Sequence, residues 1–471
     1  MRQILFAIVL GAVLTSCVPD LARRTATATT PRTFPGSSDT VTATQIDWRE
    51  YYRDTLLATL IDTAIAGNQE LNIVSQEIRI ASNEMNARAG EVLPSVEVGA
   101  GAELEKSSRY TRNGAVEDQL EAAPGMRFPE PLSNLTVGAR VSWEVDIWRK
   151  LRNATDAAAA RMLSNVQGMQ FLRTQLVAEL ATSFYELEAL DNLLQTLDTT
   201  IAIQQRALDI VQQQKLAAKA TELAVRKFEA EVRRNEGRRF DILQRITETE
   251  NHINKLCGRY PQRVERRSSE FMRDTPDSLA LGIPSQLLEQ RPDVQQASYE
   301  LKAAELDIDV AKARFYPTLN ILAGFGYQAF SAKYIVPTPE SMIYSIAGEL
   351  MLPVLNRAAI AAAYDNAGAR QIQAAYNYER AVLSAYVEVA NQHANVMNLA
   401  RSVERKSRQV EALNESISIA GDLFLNARAD YMEVLMTQRD ALDAKMELIE
   451  TRLNQLRARV TLYRALGGGW K

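Results

Sequence analysis

Four segments of this chain alternate apolar residues with polar or small ones at the period of two that a β-strand requires. Each is about 10 to 14 residues long, the length of a tilted strand that crosses a bilayer. One face is apolar and the other carries the charges, so the pattern predicts lipid on one side and water on the other. A soluble sandwich with one wet face is the alternative. The predicted strands are residues 93–105, 134–147, 317–329 and 341–353.

Four strands cannot close a barrel within one chain. Membrane barrels have about eight strands or more, and an eight-stranded interior is filled by its own side chains. An open sheet in lipid would leave the backbone groups of its edge strands unpaired, which a bilayer does not tolerate. We therefore expect an oligomer: two copies would give a plugged barrel, and three would give twelve strands with room for a duct. The strand residues expected to face water are Glu97, Arg140, Glu144 and Glu349.

The N-terminus has the pattern of a bacterial secretion signal. Arg2 precedes an apolar run, Ile4–Leu14, that is too short to span a bilayer. The sequence Leu-Thr-Ser before Cys17 resembles a lipoprotein signal, in which Cys17 is acylated and becomes the mature N-terminus; an ordinary signal peptide is the alternative. Val18 follows instead of an acidic residue, which favours the outer membrane. We expect a signal peptide at 1–16 and an acylated tether at 17–47.

The rest of the chain is helical and repeated. Apolar residues recur about every 3.5 positions, the period of a coiled coil. A helix of about 60 residues would be roughly 90 Å long, a length that suits a tube across the periplasm. A plain coiled-coil rod is the alternative, but the predicted strands argue against it. Each half has two strands followed by a long helical hairpin. The predicted repeats are 48–260 and 284–471 with a linker at 261–283, the hairpins are 149–258 and 357–466, and a helix is expected at 292–314.

Composition argues against several classes of function. The 54 basic and 58 acidic residues give a net charge of −4, which offers no case for a nucleic-acid partner. With Cys17 acylated, Cys257 has no disulfide partner, and its apolar helical context predicts a buried side chain. His252 and His393, the two histidines, lie far apart, and Gly467–Gly469 lacks the lysine that follows in a phosphate loop. We expect no enzyme activity, no cofactor and no metal site.

Three motifs carry a resemblance to a known family: Ser142–Trp148 (SWEVDIW), Ile283–Asp293 (IPSQLLEQRPD) and Tyr463–Trp470 (YRALGGGW). Over essentially all of its mature length, the chain resembles a TolC-type outer-membrane factor of the lipoprotein branch that serves resistance-nodulation-division (RND) efflux pumps. The resemblance implies an α+β membrane protein. Its homotrimer would form a twelve-stranded outer-membrane β-barrel, four strands per chain, continuous with a long periplasmic α-helical coiled-coil barrel.

The resemblance also implies a function and partners. The expected function is an exit duct that passively conducts small molecules, such as drugs or metal ions, which are selected at the inner-membrane transporter. The expected partners are two further copies of the chain, a periplasmic adaptor (membrane fusion) protein, an inner-membrane RND transporter and outer-membrane lipid. An outer-membrane channel of a type I protein secretion system is the alternative. A non-conducting lipoprotein scaffold is a third class.

Relatives close the tunnel at its periplasmic tip with rings of charged or polar residues, and the second-half tip is expected near Asp422–Leu435. Glu433 matches a position where relatives carry an acidic ring, and Asp430 is nearby. Both are expected at the constriction, where crowded carboxylates would favour cations; ordinary solvated charges are the alternative. The glycine usual at this turn is replaced by Ala427, whose first-half counterpart is Ala218 or a neighbour.

The first-half tip, near Leu216–Val225, is the expected docking site of the adaptor, with plain packing as the alternative. The candidate docking residues are Thr221, Glu222 and Leu223, with Arg428 from the second-half tip.

Overall fold

A computed structural model describes residues 21–27, 29–35, 47–273, 281–354, 357–426 and 428–470. The predicted signal peptide, Cys17 and Ala427 lie outside the described residues. The chain divides into two compact units. The strand unit contains Met1–Thr25, Arg79–Met162 and Tyr299–Ala375, and the helical unit contains Ala26–Ile78, Leu163–Ser298 and Tyr376–Lys471.

The strand unit is built on a four-stranded antiparallel sheet to which each half of the chain contributes two strands. A short helix and a small two-stranded hairpin lie between the first two long strands. In chain order the elements are β1 (Ser95–Glu105), α4 (Arg112–Gln119), β2 (Glu121–Ala123), β3 (Met126–Arg127), β4 (Leu132–Val145), β5 (Thr318–Ala329) and β6 (Met342–Met351).

Neighbouring residues that cannot continue the ladder of backbone hydrogen bonds set the start of β1 and the end of β4. Pro94 has no N–H to give to a strand ladder, and β1 begins directly after it, at Ser95. Strand β4 was expected to reach residue 147 but ends at Val145. The reason is Asp146, whose carboxylate accepts two backbone N–H groups, each at 3.0 Å, from the first turn of helix α5 (Lys150–Leu216).

The order across the sheet is β1-β4-β5-β6, so β4 and β5 join the two halves of the chain. At this junction Gly138 lies directly opposite Gly326. A Cβ atom at Gly138 would lie 2.6 Å from the carbonyl oxygen of Phe325, closer than real contacts allow. Glycine is therefore required where the two strands approach.

Two long helical hairpins of matching length account for most of the remaining chain. Helix α5 has 67 residues and α6 (Glu222–Leu256) has 35, whereas α9 (Ala358–Leu425) has 68 and α10 (Tyr431–Ala465) has 35. The match confirms the internal repeat that the sequence predicted. Within the described residues, none of the helices combines the length and apolar character needed to span a bilayer. The other α-helices of the described residues are α1 (Trp48–Tyr52), α2 (Thr55–Gly67), α3 (Gln69–Glu91), α7 (Leu287–Gln290) and α8 (Pro292–Ala313).

A hydrophobic core holds the helical unit together. Trp48 and Phe184 are fully buried in it, together with leucines from α2, α5 and α10. Tyr51 stacks on Tyr463 with ring centroids 4.3 Å apart. The short helix α1 is thereby fixed to the end of α10, far from it in the sequence.

Cys257 belongs to the same core. Its side chain is buried, and its S–H lies 3.7 Å from the carbonyl oxygen of Leu60. Burial raises the pKa of the thiol. The cysteine is thus the buried small side chain that the sequence predicted.

Arg291 joins two of the three family motifs inside the helical unit. Its guanidinium is almost fully buried and donates to both carboxylate oxygens of Asp293, at 3.0 and 2.7 Å. It also donates to Glu388 at 2.8 Å and to the carbonyl oxygen of Ala465 at 2.8 Å. Burial disfavours the charge, but Asp293 and Glu388 outweigh it and raise the pKa of Arg291. Arg464 donates to the other oxygen of Glu388 at 2.6 Å.

Arg291→Met is expected to destabilise the helical unit by about 3 kcal/mol, because it takes the buried guanidinium away from the carboxylates of Asp293 and Glu388, whose side chains are only 24% and 26% exposed. The matched control is Arg239→Met. Arg239 pairs with Asp198 at 2.8 Å, but both side chains are more than a third exposed, so this pair contributes about 1 kcal/mol or less. Thermal unfolding, followed by the helical circular dichroism signal, gives the melting temperature of each variant. Equal shifts in the melting temperature would contradict the role of Arg291.

Candidate functional site

One face of the four-stranded sheet carries the charges. Residues directly opposite each other in antiparallel strands point to the same face. Glu97 lies opposite Arg140, and Asn320 lies opposite both Glu144 and Glu349. Glu144 and Arg140 are four residues apart on β4 and therefore share a side. The structure brings the four predicted water-facing residues onto one face; that this face lines a duct stays a prediction.

The same face carries glycines between its charges. At Gly99 an added Cβ atom would have no neighbour within 4 Å, so packing within the chain does not require a glycine there. Gly138, Gly324 and Gly326 lie in neighbouring rows of the same face. The result is a low surface along the row of Gly99, Gly138 and Gly326, next to the row that carries Glu97 and Arg140.

The opposite face is apolar and open to its surroundings. Val98, Ala139, Phe325 and Tyr344 form one row across all four strands. The exposed fractions of Val98 and Tyr344 are 80% and 78%. A soluble sandwich would cover such a face with a second sheet, but the only other sheet in the described residues is the two-stranded β2–β3 hairpin. The exposed apolar band favours contact with lipid.

Aromatic side chains gather at both ends of the strands. At one end Trp148 stacks on Tyr316 with centroids 4.7 Å apart and donates its indole N–H to Pro317 at 2.8 Å. At the other end Phe330 contacts Phe128 and lies 5.1 Å from Tyr334, centroid to centroid. Such girdles are typical of membrane barrels. The sequence analysis did not predict them, although Trp148 at the end of the first motif was a usable signal.

The first-half tip is a short turn between α5 and α6. Thr221 caps α6, and its hydroxyl oxygen accepts the N–H of Ala224 at 3.2 Å. Glu222 pairs with Lys215 across the turn and with Arg226 at 2.8 Å; these hydrogen bonds lower the pKa of Glu222. Leu223 is 60% exposed. The three candidates are thus adjacent, and the apolar one is open to solvent.

The turn itself uses an alanine in a conformation that favours glycine. Ala218 has a φ of +59°, in the left-handed region. The N–H of Lys219 donates to the carbonyl of Gln214 at 2.8 Å, as in a Schellman motif. Ala218, the expected counterpart of the glycine that is usual in the family, therefore has a backbone conformation typical of glycine.

The second-half tip exposes two carboxylates at the start of α10. Asp430 is the N-cap residue, but its side chain makes no capping hydrogen bond. The N–H of Glu433 donates to the carbonyl oxygen of Asp430 at 3.1 Å. Both side chains are exposed, and neither forms an ion pair with another described residue. Arg428, the fourth docking candidate, is also exposed and lies two residues before Asp430.

Beneath the tip lies a separate hydrophobic cluster. Phe228 and Val232 of α6 pack with Leu435 of α10, and Tyr431 covers them. The cluster fixes the start of α10, and with it Glu433, against the first hairpin. Among the described residues, no group of three His, Cys, Asp or Glu side chains could hold a metal ion.

The family model for "Outer membrane efflux protein" matches residues 60–259 and 283–468. The two matched ranges correspond to the two halves of the internal repeat.

Individual relatives match over nearly the whole chain. The chain is 23% identical to "Probable outer membrane lipoprotein SilC" of Salmonella typhimurium, with 90% of this chain and 88% of the relative covered. It is 24% identical to "Cation efflux system protein CusC" of Escherichia coli, with 90% and 88% covered. The open-state MtrE outer membrane channel of Neisseria gonorrhoeae has the same fold: the TM-score is 0.84 at 21% identity, with 97% of this chain and 98% of that chain covered.

Ala139 and Arg140 are neighbours on β4 with opposite facing, which gives a matched test. Ala139→Arg places a charge on the apolar face and is expected to cost about 2–4 kcal/mol at the bilayer midplane. Arg140→Ala removes a charge from the other face and is expected to be mild by comparison. The yield of assembled oligomer in outer-membrane fractions measures both, and equal losses would contradict the facing.

Proposed function

Because the chain belongs to the outer membrane efflux protein family, we propose that three copies of it form the exit duct of a tripartite efflux pump. The duct passively conducts small molecules, such as drugs or metal ions, to the exterior. They come from an inner-membrane RND transporter through a periplasmic adaptor. The observation that carries this proposal is the open sheet, with one apolar face and one charged face.

The open sheet supports closure by further copies of the same chain. Strands β1 and β6 are its edges, and each has one partner strand in the part of the chain that the structure describes. Successive strands alternate in direction, so β6 of one copy can pair antiparallel with β1 of the next. Two copies would enclose an interior filled by side chains, whereas three give a twelve-stranded barrel with space for a solute.

The charged face then lines the duct. Glu97, Glu103, Glu144 and Glu349 lie on this face with Arg140, so negative charge is in excess. Glycines between them leave the bore wide. An excess of carboxylates along a water-filled pore favours cations over anions.

The tips supply the constriction and the docking site in this proposal. Three copies of Glu433, with Asp430 beside each, form an acidic ring about the axis; their exposure and lack of ion-pair partners among the described residues support this role. The adaptor docks at Thr221, Glu222, Leu223 and Arg428. The 60% exposure of Leu223 supports docking, because an apolar side chain at a helix tip gains from being covered.

Acylation of Cys17 completes the proposal. It rests on the signal sequence, since Cys17 lies outside the described residues. The lipid would hold the N-terminus at the inner surface of the outer membrane, while the barrel supplies the stronger hold.

Purified protein in planar bilayers is expected to form discrete, cation-preferring channels, and a protein that never conducts would refute the duct.

Glu433→Gln is expected to raise the anion share of the current and to weaken block by divalent cations from the periplasmic side, because it removes the charge of the ring.

The control is Asp54→Asn. Asp54 caps α2 by accepting the N–H groups of Leu56 and Leu57, and asparagine caps a helix equally well, so neither property should change. If Glu433→Gln behaves like this control, the acidic-ring assignment is wrong.

A further inference from the structure

The chain that follows the predicted lipidation site is packed onto the protein surface. In the strand unit Leu21 lies over Gly368 of helix α9, beside Tyr364 and Phe315. A Cβ atom at Gly368 would come within 3.0 Å of the Leu21 Cγ atom. The glycine thus forms a notch that receives the leucine side chain.

Three residues further along, Gln371 holds the backbone of Arg24. The Gln371 side chain is buried, with 1% exposed. Its Oε1 atom accepts the N–H of Arg24 at 3.0 Å, and its Nε2 atom donates to the carbonyl oxygen of Arg24 at 2.7 Å. One amide therefore satisfies both backbone groups of one residue, as a neighbouring β-strand would. Arg23 forms an ion pair with Asp309 of α8.

The helical unit holds the continuation of the same segment. The N–H of Thr27 donates to Glu379 at 2.9 Å. Phe34 is 2% exposed and stacks on Tyr386 with centroids 5.3 Å apart. It belongs to a buried cluster with Leu287 and others. Both described parts of the N-terminal segment, residues 21–27 and 29–35, therefore have specific contacts.

We propose that Gly368 and Gln371 form a docking site for the chain's own N-terminal segment, and that docking shields the Arg23-Arg24 pair from proteases. Two consecutive arginines in an extended segment are a substrate for trypsin-like enzymes. A protease binds its substrate as an added strand through backbone N–H and C=O groups. The Gln371 amide occupies those groups of Arg24, so cleavage requires the segment to leave helix α9 first.

The shield protects the link between Cys17 and the channel. A cut after Arg24 would release the acylated N-terminus, a consequence that rests on the proposed acylation. Cys17 lies four positions before Leu21, and four residue steps reach at most about 14 Å, so docking of Leu21 limits how far the lipid attachment can lie from the notch. The docking site itself does not depend on the lipid.

Limited trypsin digestion of the full-length protein in detergent, read by mass spectrometry, tests the site. In Gln371→Ala the fragment that begins at Thr25 should appear at least about tenfold faster than in the wild type, because the docked state is weakened. Gln371→Glu should be intermediate, since a carboxylate can accept the N–H but cannot donate to the carbonyl. Gly368→Leu should resemble Gln371→Ala, because it fills the notch.

The control is Gln373→Ala, two residues along α9 with an exposed side chain, which should leave the cleavage rate unchanged. Cleavage after Arg267, exposed in the linker, reports on general loosening. Equal rates after Arg24 in the wild type and Gln371→Ala would overturn the proposal. So would a parallel rise after Arg267, which would mean that the whole molecule had opened. Channel conductance is not part of the readout, so failure here is distinct from failure of the proposed duct.

Discussion

The backbone hydrogen bonds of the two edge strands are the constraint on which the rest of the structure depends. Within the described residues, strands β1 and β6 each have an unpaired side, and no water is available to pair with it in the hydrocarbon of a bilayer. The remaining solution is pairing with another copy of the chain. In the proposed barrel the charged face would line the interior and the apolar face would contact lipid, so each face would meet the surroundings that it favours.

The internal repeat includes the long helices as well as the strands. Each half of the chain supplies one strand pair and one helical hairpin, and the hairpins have the same lengths within one residue. Arg291 ties the start of the second half to the end of the chain, through Glu388 and the carbonyl oxygen of Ala465. A charge buried this deeply needs all its partners, so the junction has one defined geometry.

Period and facing could be predicted from the sequence, because they are local properties. The alternation of apolar and polar residues, for example around Arg140, predicted where the strands lie and which face of the sheet carries each charged side chain. Sequence reasoning placed the end of β4 too late, because the capping bonds of Asp146 compete with the strand ladder. The docking of residues 21–27 and 29–35 was not predicted from the sequence. Gln371 binds backbone atoms of Arg24, and such contacts leave no pattern in the side chains. The tip residues could be named by resemblance, but an acidic ring requires other copies of the chain.

The central claim is that three chains close one barrel, and the mass of the native complex tests it most directly. Native mass spectrometry of the protein extracted in mild detergent should give three times the mass of one mature chain. The mass of one mature chain is somewhat below the 52.5 kDa of the full sequence. A stable species with the mass of one or two chains, and none with three, would contradict the account.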